Sequence, residues 1–225
     1  MLNPGEVVFL LDVDNTLLDN DRFAADLSDR LERSFGAAQR ARYWEIFGRR
    51  REALGLADYL GSLQEFRAGL DDRAELLEMS HFLLEYPFAS RLFPGAMEAV
   101  AHLGNMGKPV VLSDGDIVFQ PRKIQRAGIW GAVEGRVLIY LHKEKVLDHV
   151  QQRYPAAHYV MVDDKANLLA AMKSNLGNRL STVFVRQGHY AFAPESESAS
   201  PAPDLVIERI EDLKNLSLSD FKVRQ

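Results

Sequence analysis

An unbroken apolar run, Val7-Val8-Phe9-Leu10-Leu11, leads directly into the acidic pair Asp12 and Asp14. The run is too short for a helix and is typical of a strand that is buried on both faces of a sheet. Carboxylates at the carboxyl end of such a strand lie where open α/β sheets bind their ligands. The spacing of the pair points both side chains the same way, so the two charges need a cation or a proton. Taken alone, the pair is more typical of residues that cap the next helix. Whether it forms part of a binding site therefore depends on the rest of the chain.

Composition restricts the class of protein. The chain has 225 residues, of which 47% are hydrophobic, enough for one domain with a sizeable insertion. It contains no cysteine, which excludes disulfides and thiolate chemistry and agrees with a reducing compartment. No apolar run approaches the roughly 20 residues that span a bilayer, and the N-terminus lacks the features of a signal peptide. We therefore expect a cytoplasmic protein without a membrane partner. The net charge of −5 gives no electrostatic reason to expect a nucleic-acid partner.

Residues 18–87 have a helical pattern throughout. Phe23, Leu27 and Leu31 recur every four positions, and Asn20 is a suitable N-cap for the helix that they predict. Pro87 ends the last helix, and no strand pattern interrupts the segment. We therefore predict an all-helical domain over residues 18–87, inserted into an α/β core domain that consists of residues 1–17 and 88–225.

After residue 88, strands alternate with helices, and this alternation predicts a doubly wound, Rossmann-like parallel sheet. Three of these strands lead to reactive side chains: Ser113, Lys143 and the pair Asp163-Asp164. A hydroxyl at a strand end most often caps a helix, whereas a lysine at a helix start opposes the helix dipole. Because the carboxyl ends of parallel strands meet at one edge of the sheet, we expect these residues to lie beside the acids of the first strand.

Together, these side chains have the chemistry of phosphoryl transfer. Carboxylates from two strands can hold Mg²⁺, a hard cation that prefers oxygen ligands. A lysine and a hydroxyl can bind phosphoryl oxygens. One carboxylate is then free to attack phosphorus, and its neighbour can carry a proton.

The chain resembles the haloacid dehalogenase-like hydrolase superfamily over nearly its whole length. Asp12-Val13-Asp14-Asn15-Thr16-Leu17 is similar to the first motif of that superfamily, and Leu112-Ser113-Asp114 to the second. Val162-Asp163-Asp164 resembles the paired acids of the fourth motif. Residues 18–87 resemble the helical cap of the first type, which would make the inserted domain a cap.

The third motif of the superfamily supplies a lysine. Lys143 is the stronger candidate, but many relatives have a proline after this lysine, whereas Glu144 follows it here. Lys145 lies close by, so both lysines remain candidates.

The resemblance implies a Mg²⁺-dependent phosphohydrolase that acts on a small phosphorylated metabolite in two steps. Asp12 is then the nucleophile that forms an aspartyl-phosphate, and Asp14 is the general acid and base. Mg²⁺ is held by Asp12, by the backbone carbonyl of Asp14 and by Asp164, with Asp163 as a further ligand. Ser113 and Lys143 complete the catalytic set. The implied substrate-binding residues are Thr16, Ser113, Asp114 and Lys143.

Other reactions occur on the same motifs. Dehalogenases expel a halide that needs no proton, and those relatives lack the second acid and do not use a metal. The presence of Asp14 and of Asp163-Asp164 therefore favours a phosphatase over a 2-haloacid dehalogenase. A phosphonate hydrolase needs a cap lysine, and residues 18–86 contain none. A sugar-phosphate mutase stays an alternative, as does a non-catalytic binding protein of this fold, although the intact acids count against the latter.

Substrate specificity is expected to come from the helical insertion. The run Arg49-Arg50-Arg51 is interpreted as a solvated face near a helix C-terminus rather than as a phosphate site. Tyr43, Trp44 and Tyr59 are interpreted as residues that pack within the insertion. Arg22 is a further candidate, with Arg49 and Arg50, for contacts to an anionic substrate.

Overall fold

A computed structural model of the chain describes residues 6–221, including every side chain except those of Glu195 and Glu197. Within these residues, six parallel strands form one sheet in the order β3-β2-β1-β4-β5-β6. The prediction of a doubly wound α/β fold is confirmed. The strands are β1 (Val7–Leu11), β2 (Lys108–Asp114), β3 (Val137–Tyr140), β4 (His158–Asp163), β5 (Leu180–Val185) and β6 (Leu205–Ile207).

The central strand β1 pairs with β2 on one side and with β4 on the other. Leu11 pairs with Val111 of β2 on one side and with Val162 of β4 on the other. The chain then continues into Asp12, whose backbone N–H donates to the carbonyl oxygen of Val162 at 3.0 Å. The register therefore brings the first acid of the chain to the same sheet edge as the acids that end β4.

Both faces of β1 are buried, as its apolar run predicted. Val7, Phe9 and Leu11 belong to one hydrophobic cluster, whereas Val8 and Leu10 belong to a second cluster on the opposite face. This division follows from the alternation of side chains along a strand. Helices must cover both faces of the sheet to bury these residues, and they do so here.

Between β1 and β2, the described chain forms helices and turns and adds no strand to the sheet. Phe23, Leu27 and Leu31 are buried, as their spacing predicted. The predicted N-cap is wrong by one residue. Asp19 is the N-cap, because its side chain accepts a hydrogen bond from the backbone N–H of Arg22 at 2.8 Å. The helices of this insertion are α1 (Asn20–Phe35), α2 (Ala37–Leu54), α3 (Tyr59–Phe66) and α4 (Glu75–Glu85).

The insertion joins the sheet region through two adjacent segments. Leu18 on the outgoing segment forms an antiparallel bridge with Leu92 on the returning segment. The backbone N–H of Phe93 donates to Leu17 at 3.0 Å, and that of Asp19 donates to Arg91 at 2.7 Å. Hydrogen bonds between the two segments therefore fix the start of the insertion next to the end of β1.

The remaining helices connect the strands. In the described part of the chain, no helix combines the length and the apolar character that crossing a membrane requires. The α-helices are α5 (Ala96–Met106), α6 (Phe119–Arg126), α7 (Ile129–Ala132), α8 (Leu147–Arg153), α9 (Ala166–Leu176), α10 (Gly188–Ala191) and α11 (Pro194–Glu197). The 3₁₀ helices are Phe88–Arg91, Lys143–Lys145, Gly177–Arg179, Ile210–Asn215 and Leu218–Phe221.

Candidate active site

Three carboxylates from two strands converge at the carboxyl edge of the sheet. Asp12, Asp163 and Asp164 each offer an oxygen, and these oxygens all lie within 4.8 Å of one another. All three residues are buried, with exposed fractions of 5%, 0% and 0%. The structure therefore brings these acids together at the sheet edge, although Asp12 lies about 150 positions from the other two along the chain.

Lys143 supplies a positive charge to this acid cluster. Its Nζ lies 2.5 Å from Asp12 Oδ1 and 2.7 Å from Asp163 Oδ2. Burial alone would lower the pKa of Lys143, but the carboxylates of Asp12, Asp163 and Asp114 outweigh burial and raise it well above its usual range. The ammonium therefore stays charged at physiological pH. Lys145, the other candidate, has an exposed side chain.

The acid cluster has the charge and the free oxygens that a divalent cation needs. Three carboxylates and one ammonium leave two formal negative charges in a buried space. Both side-chain oxygens of Asp164 are buried and lack a hydrogen-bond partner among the described residues. Burial, together with the nearby carboxylates of Asp163 and Asp12, raises the pKa of Asp164 well above its usual range. Orphaned carboxylate oxygens of this kind fit a hard cation such as Mg²⁺.

The carboxylate of Asp14 does not join that of Asp12 in the acid cluster, so the prediction that the two side chains point the same way is wrong, and Asp14 has its own partners. Lys123 Nζ lies 2.7 Å from Asp14 Oδ1 and 2.9 Å from Oδ2, and Gln120 Nε2 donates to Oδ2 at 3.2 Å. The side chain of Asp14 is 28% exposed, so it is accessible from the solvent side. The Asp14 side chain is therefore not one of the clustered carboxylates.

Lys123 is a site residue that the sequence interpretation missed. Its side chain is 1% exposed and also donates to Asn20 Oδ1 at 3.0 Å. Its Nζ lies between 5.4 and 5.9 Å from the centroids of described rings in both the insertion and the sheet region. The only sequence signal was its spacing of four residues from Phe119, which places both on the buried face of α6. The rings around the ammonium are those of Phe23, Tyr59, Phe88 and Phe119.

The second-motif residues lie beside the cluster. Ser113 is buried at the end of β2, and its Oγ accepts a hydrogen bond from Gln120 Nε2 at 2.9 Å. Gln120 therefore links Ser113 to Asp14. Asp114 accepts a hydrogen bond from the backbone N–H of Lys143 at 2.7 Å, and burial raises the pKa of Asp114 above its usual value. That hydrogen bond fixes the loop that carries Lys143.

The loop after Asp12 is held by local contacts. Thr16 Oγ1 donates to Asp12 Oδ2 at 3.1 Å, which orients the carboxylate. Asn15 has a positive φ of 60°, and its Oδ1 accepts from the backbone N–H of Asn20 at 3.0 Å. Gly188, with φ +67°, packs so closely that an added Cβ would lie 2.4 Å from the Asn15 Cβ. A side chain at position 188 would therefore displace this loop.

A cavity of about 240 Å³ opens onto this site between the insertion and the sheet edge. Its lining from the sheet edge includes Asp14, Asp114 and Lys165. The insertion contributes Arg51 and also aromatic side chains, among them Trp44 and Tyr59. Tyr43 is buried, and its hydroxyl donates to the backbone carbonyl of Tyr59 at 3.0 Å. A larger cavity, of about 400 Å³, lies between α3 and α4 away from these acids.

Comparison with known proteins agrees with the motifs. Residues 7–175 match the family model for haloacid dehalogenase-like hydrolases. The fold is similar to that of a protein described as a haloacid dehalogenase-like hydrolase from Burkholderia xenovorans LB400. That protein shares 58% sequence identity with this chain, with a TM-score of 0.90 and coverage of 96% of this chain and 99% of the other.

More distant structures are similar in fold alone. The HAD-hydrolase YfnB from Bacillus subtilis, described as bound to magnesium, is 18% identical to this chain, and the TM-score is 0.63. The match covers 94% of this chain and 98% of the YfnB chain. The L-2-haloacid dehalogenase PA0810 is 19% identical with a TM-score of 0.62 and the same coverage of 94% and 98%. A comparison with curated proteins gave no match.

Proposed function

The chain belongs to the haloacid dehalogenase-like hydrolase family, and we propose that it is a Mg²⁺-dependent phosphohydrolase of small phosphorylated metabolites. The observation that carries this proposal is the separation of the two acids that follow β1. Asp12 lies in the buried cluster against Lys143, whereas Asp14 lies outside it against Lys123. A reaction that expels an alkoxide needs a nucleophile and a separate proton donor, and we assign the first role to Asp12 and the second to Asp14. Expulsion of a halide needs no proton donor.

In the first step, an oxygen of Asp12 attacks phosphorus, and the bond from phosphorus to the leaving oxygen breaks. Asp14 gives its proton to that oxygen, so the leaving group departs as a neutral alcohol. The product on the protein is an aspartyl-phosphate at Asp12.

In the second step, water attacks the phosphorus of this acyl phosphate. Asp14, now ionised, takes the proton from the water as the bond between phosphorus and the Asp12 oxygen breaks. Inorganic phosphate leaves, and both carboxyl groups return to their starting states.

The remaining side chains bind and orient the phosphoryl group. Lys143 and Ser113 would hold its equatorial oxygens, where charge collects during transfer. Thr16 keeps the Asp12 carboxylate oriented through its hydrogen bond of 3.1 Å. The loop at Asp114 supports Lys143 through the hydrogen bond of 2.7 Å to its backbone.

Asp12, Asp164 and Asp163 would hold Mg²⁺ together with the backbone carbonyl of Asp14. When bound, the ion offsets the repulsion between an anionic nucleophile and an anionic phosphate. We assign residues 18–87 as the cap that closes over the site and excludes bulk water, and residues 1–17 and 88–225 as the core. A cytoplasmic location forms part of the same proposal and agrees with the absence of cysteine.

Hydrolysis of p-nitrophenyl phosphate with and without Mg²⁺, by wild type and by Asp12→Asn, tests the proposal. We expect metal-dependent release of nitrophenolate that the substitution abolishes. Release of chloride from 2-chloropropionate, measured on the same preparations, should stay at background. Absence of metal-dependent phosphatase turnover, or turnover that survives Asp12→Asn, would reject the proposed function.

A further inference from the structure

The arginine run of α2 separates into paired and unpaired residues. Arg49 Nη2 lies 2.5 Å from Glu65 Oε1, and Arg50 Nη2 lies 2.5 Å from Asp58 Oδ2. Arg51 has no carboxylate within ion-pair distance among the residues described, and it lines the cavity that Asp14 and Asp114 also line. The sequence interpretation of a solvated face thus leaves Arg51 unexplained.

A second cation lies near the same aromatic ring as Arg51. The guanidinium of Arg51 donates a hydrogen bond to the hydroxyl of Tyr190 and lies 5.4 Å from the centroid of its ring. Lys165 Nζ lies 4.8 Å from the same centroid. In the described chain, the Lys165 ammonium forms no direct ion pair, although its charge acts on the nearby carboxylates of Asp114, Asp163 and Asp164. The backbone N–H of Lys165 donates to Asp163 Oδ1 at 2.9 Å. Lys165 is also the residue that follows Asp164 in the sequence.

The carboxylates that line the cavity are already partnered within the protein. Asp14 binds Lys123, and Asp114 accepts the backbone N–H of Lys143. Asp21 lies 2.6 Å from His189 Nδ1 and accepts its backbone N–H at 2.8 Å. Among the described residues, Arg51 and Lys165 therefore line the cavity without an ion pair to these carboxylates, and both lie beside the ring of Tyr190.

We propose that Arg51 and Lys165 form a subsite for a second anionic group on the substrate, a carboxylate or a second phosphate. A guanidinium presents parallel N–H donors that match either group, and the nearby ammonium adds charge. Tyr190 positions both cations. This inference rests on the proposed function, because the first anionic group is the phosphoryl group at Asp12.

Binding of non-hydrolysable analogues tests the subsite without requiring turnover. The probes are ω-phosphonocarboxylates and α,ω-bisphosphonates with spacers of different lengths, each compared with the alkylphosphonate of equal length. Dissociation constants are measured by calorimetry on the full chain at a fixed concentration of free Mg²⁺. The variants are Arg51→Gln and the control Arg49→Gln, since Arg49 lies on the same helix but pairs with Glu65.

At least one of the two series that carry a second anionic group should bind wild type about tenfold tighter than the alkylphosphonate of equal length, as expected for charge-assisted hydrogen bonds. The series that does so identifies the second group as carboxylate or phosphate. Arg51→Gln should remove this preference, and Arg49→Gln should retain it. Equal binding of all compounds to wild type, no binding of any of them, or a preference that survives Arg51→Gln would overturn the subsite. If wild type shows this preference and Arg51→Gln loses it, but wild type does not hydrolyse p-nitrophenyl phosphate, the proposed function would be rejected and the subsite would stand.

Discussion

Lys123 Nζ lies within 2.9 Å of both carboxylate oxygens of Asp14, and the lysine side chain is 1% exposed. Asp14 therefore has a fixed orientation that does not depend on the acid cluster around Asp12. Because Lys123 also donates to Asn20 at the start of α1, one buried ammonium links the second acid to the insertion. We interpret Lys123 as a positioning residue for proton transfer by Asp14.

Lys123→Met should therefore impair the step that needs a proton donor. We expect turnover of an alkyl phosphate to fall by about 10²-fold, in the range typical of general acid–base catalysis. Turnover of p-nitrophenyl phosphate should fall less, because nitrophenolate leaves without a proton. The ratio of the two rates is the measurement. Arg122→Gln is the control, since Arg122 lies next to Lys123 on α6 but pairs with Glu85. An equal loss on both substrates would indicate a structural effect alone.

Lys143 and Lys145 should differ sharply in their effect on turnover. Lys143 Nζ contacts the proposed nucleophile at 2.5 Å, whereas the Lys145 side chain is exposed. We expect Lys143→Met to lower kcat by about 10²- to 10³-fold, the loss typical of one electrostatic contact to the transition state. Lys145→Met should leave kcat unchanged. Thermal unfolding of both variants shows whether the fold is kept, and a comparable loss in Lys145→Met would contradict the assignment of Lys143.

Stabilisation by Mg²⁺ should grow as the pH rises. Since the folded chain raises the pKa of Asp164, the folded state without metal binds more protons than the unfolded state. Its stability therefore declines as pH rises above the ordinary carboxyl range of about 4 and towards the raised pKa. A cation replaces the proton, so the increase in Tm on adding Mg²⁺ should be larger at pH 8 than at pH 6. Asp164→Asn should remove most of this pH dependence, and a Mg²⁺ effect that shrinks with pH would contradict the account.

Gly188 should tolerate a methyl group poorly. Its positive φ of +67° already disfavours alanine, and an added Cβ would meet Asn15 in the loop after Asp14. Gly128 has a similar φ of +80° with nothing within 4 Å of an added Cβ, so Gly128→Ala measures the backbone strain alone. We expect Gly188→Ala to lower the free energy of unfolding by about 1 kcal/mol or more beyond the control, and to reduce kcat. Equal effects of the two substitutions would argue against a role for this contact.

The sequence predicted those parts of the site that lie at the ends of strands. An apolar run that stops at an acid is a local signal, and parallel topology then brings Asp12 and Asp164 to one edge. Lys123 gave no comparable signal, because its burial depends on how α6 packs against the insertion. Arg51 was indistinguishable from Arg49 and Arg50 along the chain, since only tertiary contacts separate a paired arginine from an unpaired one. The N-cap was misplaced because Asp19 and Asn20 are both suitable caps.

The most direct test of the central claim is mass spectrometry of wild type quenched in acid during turnover of a phosphomonoester with Mg²⁺. We predict that a phosphoryl group is found on the peptide that contains Asp12, and that it is absent from Asp12→Asn and from samples without metal. Turnover that leaves Asp12 unmodified while another residue carries the phosphoryl group would contradict the account.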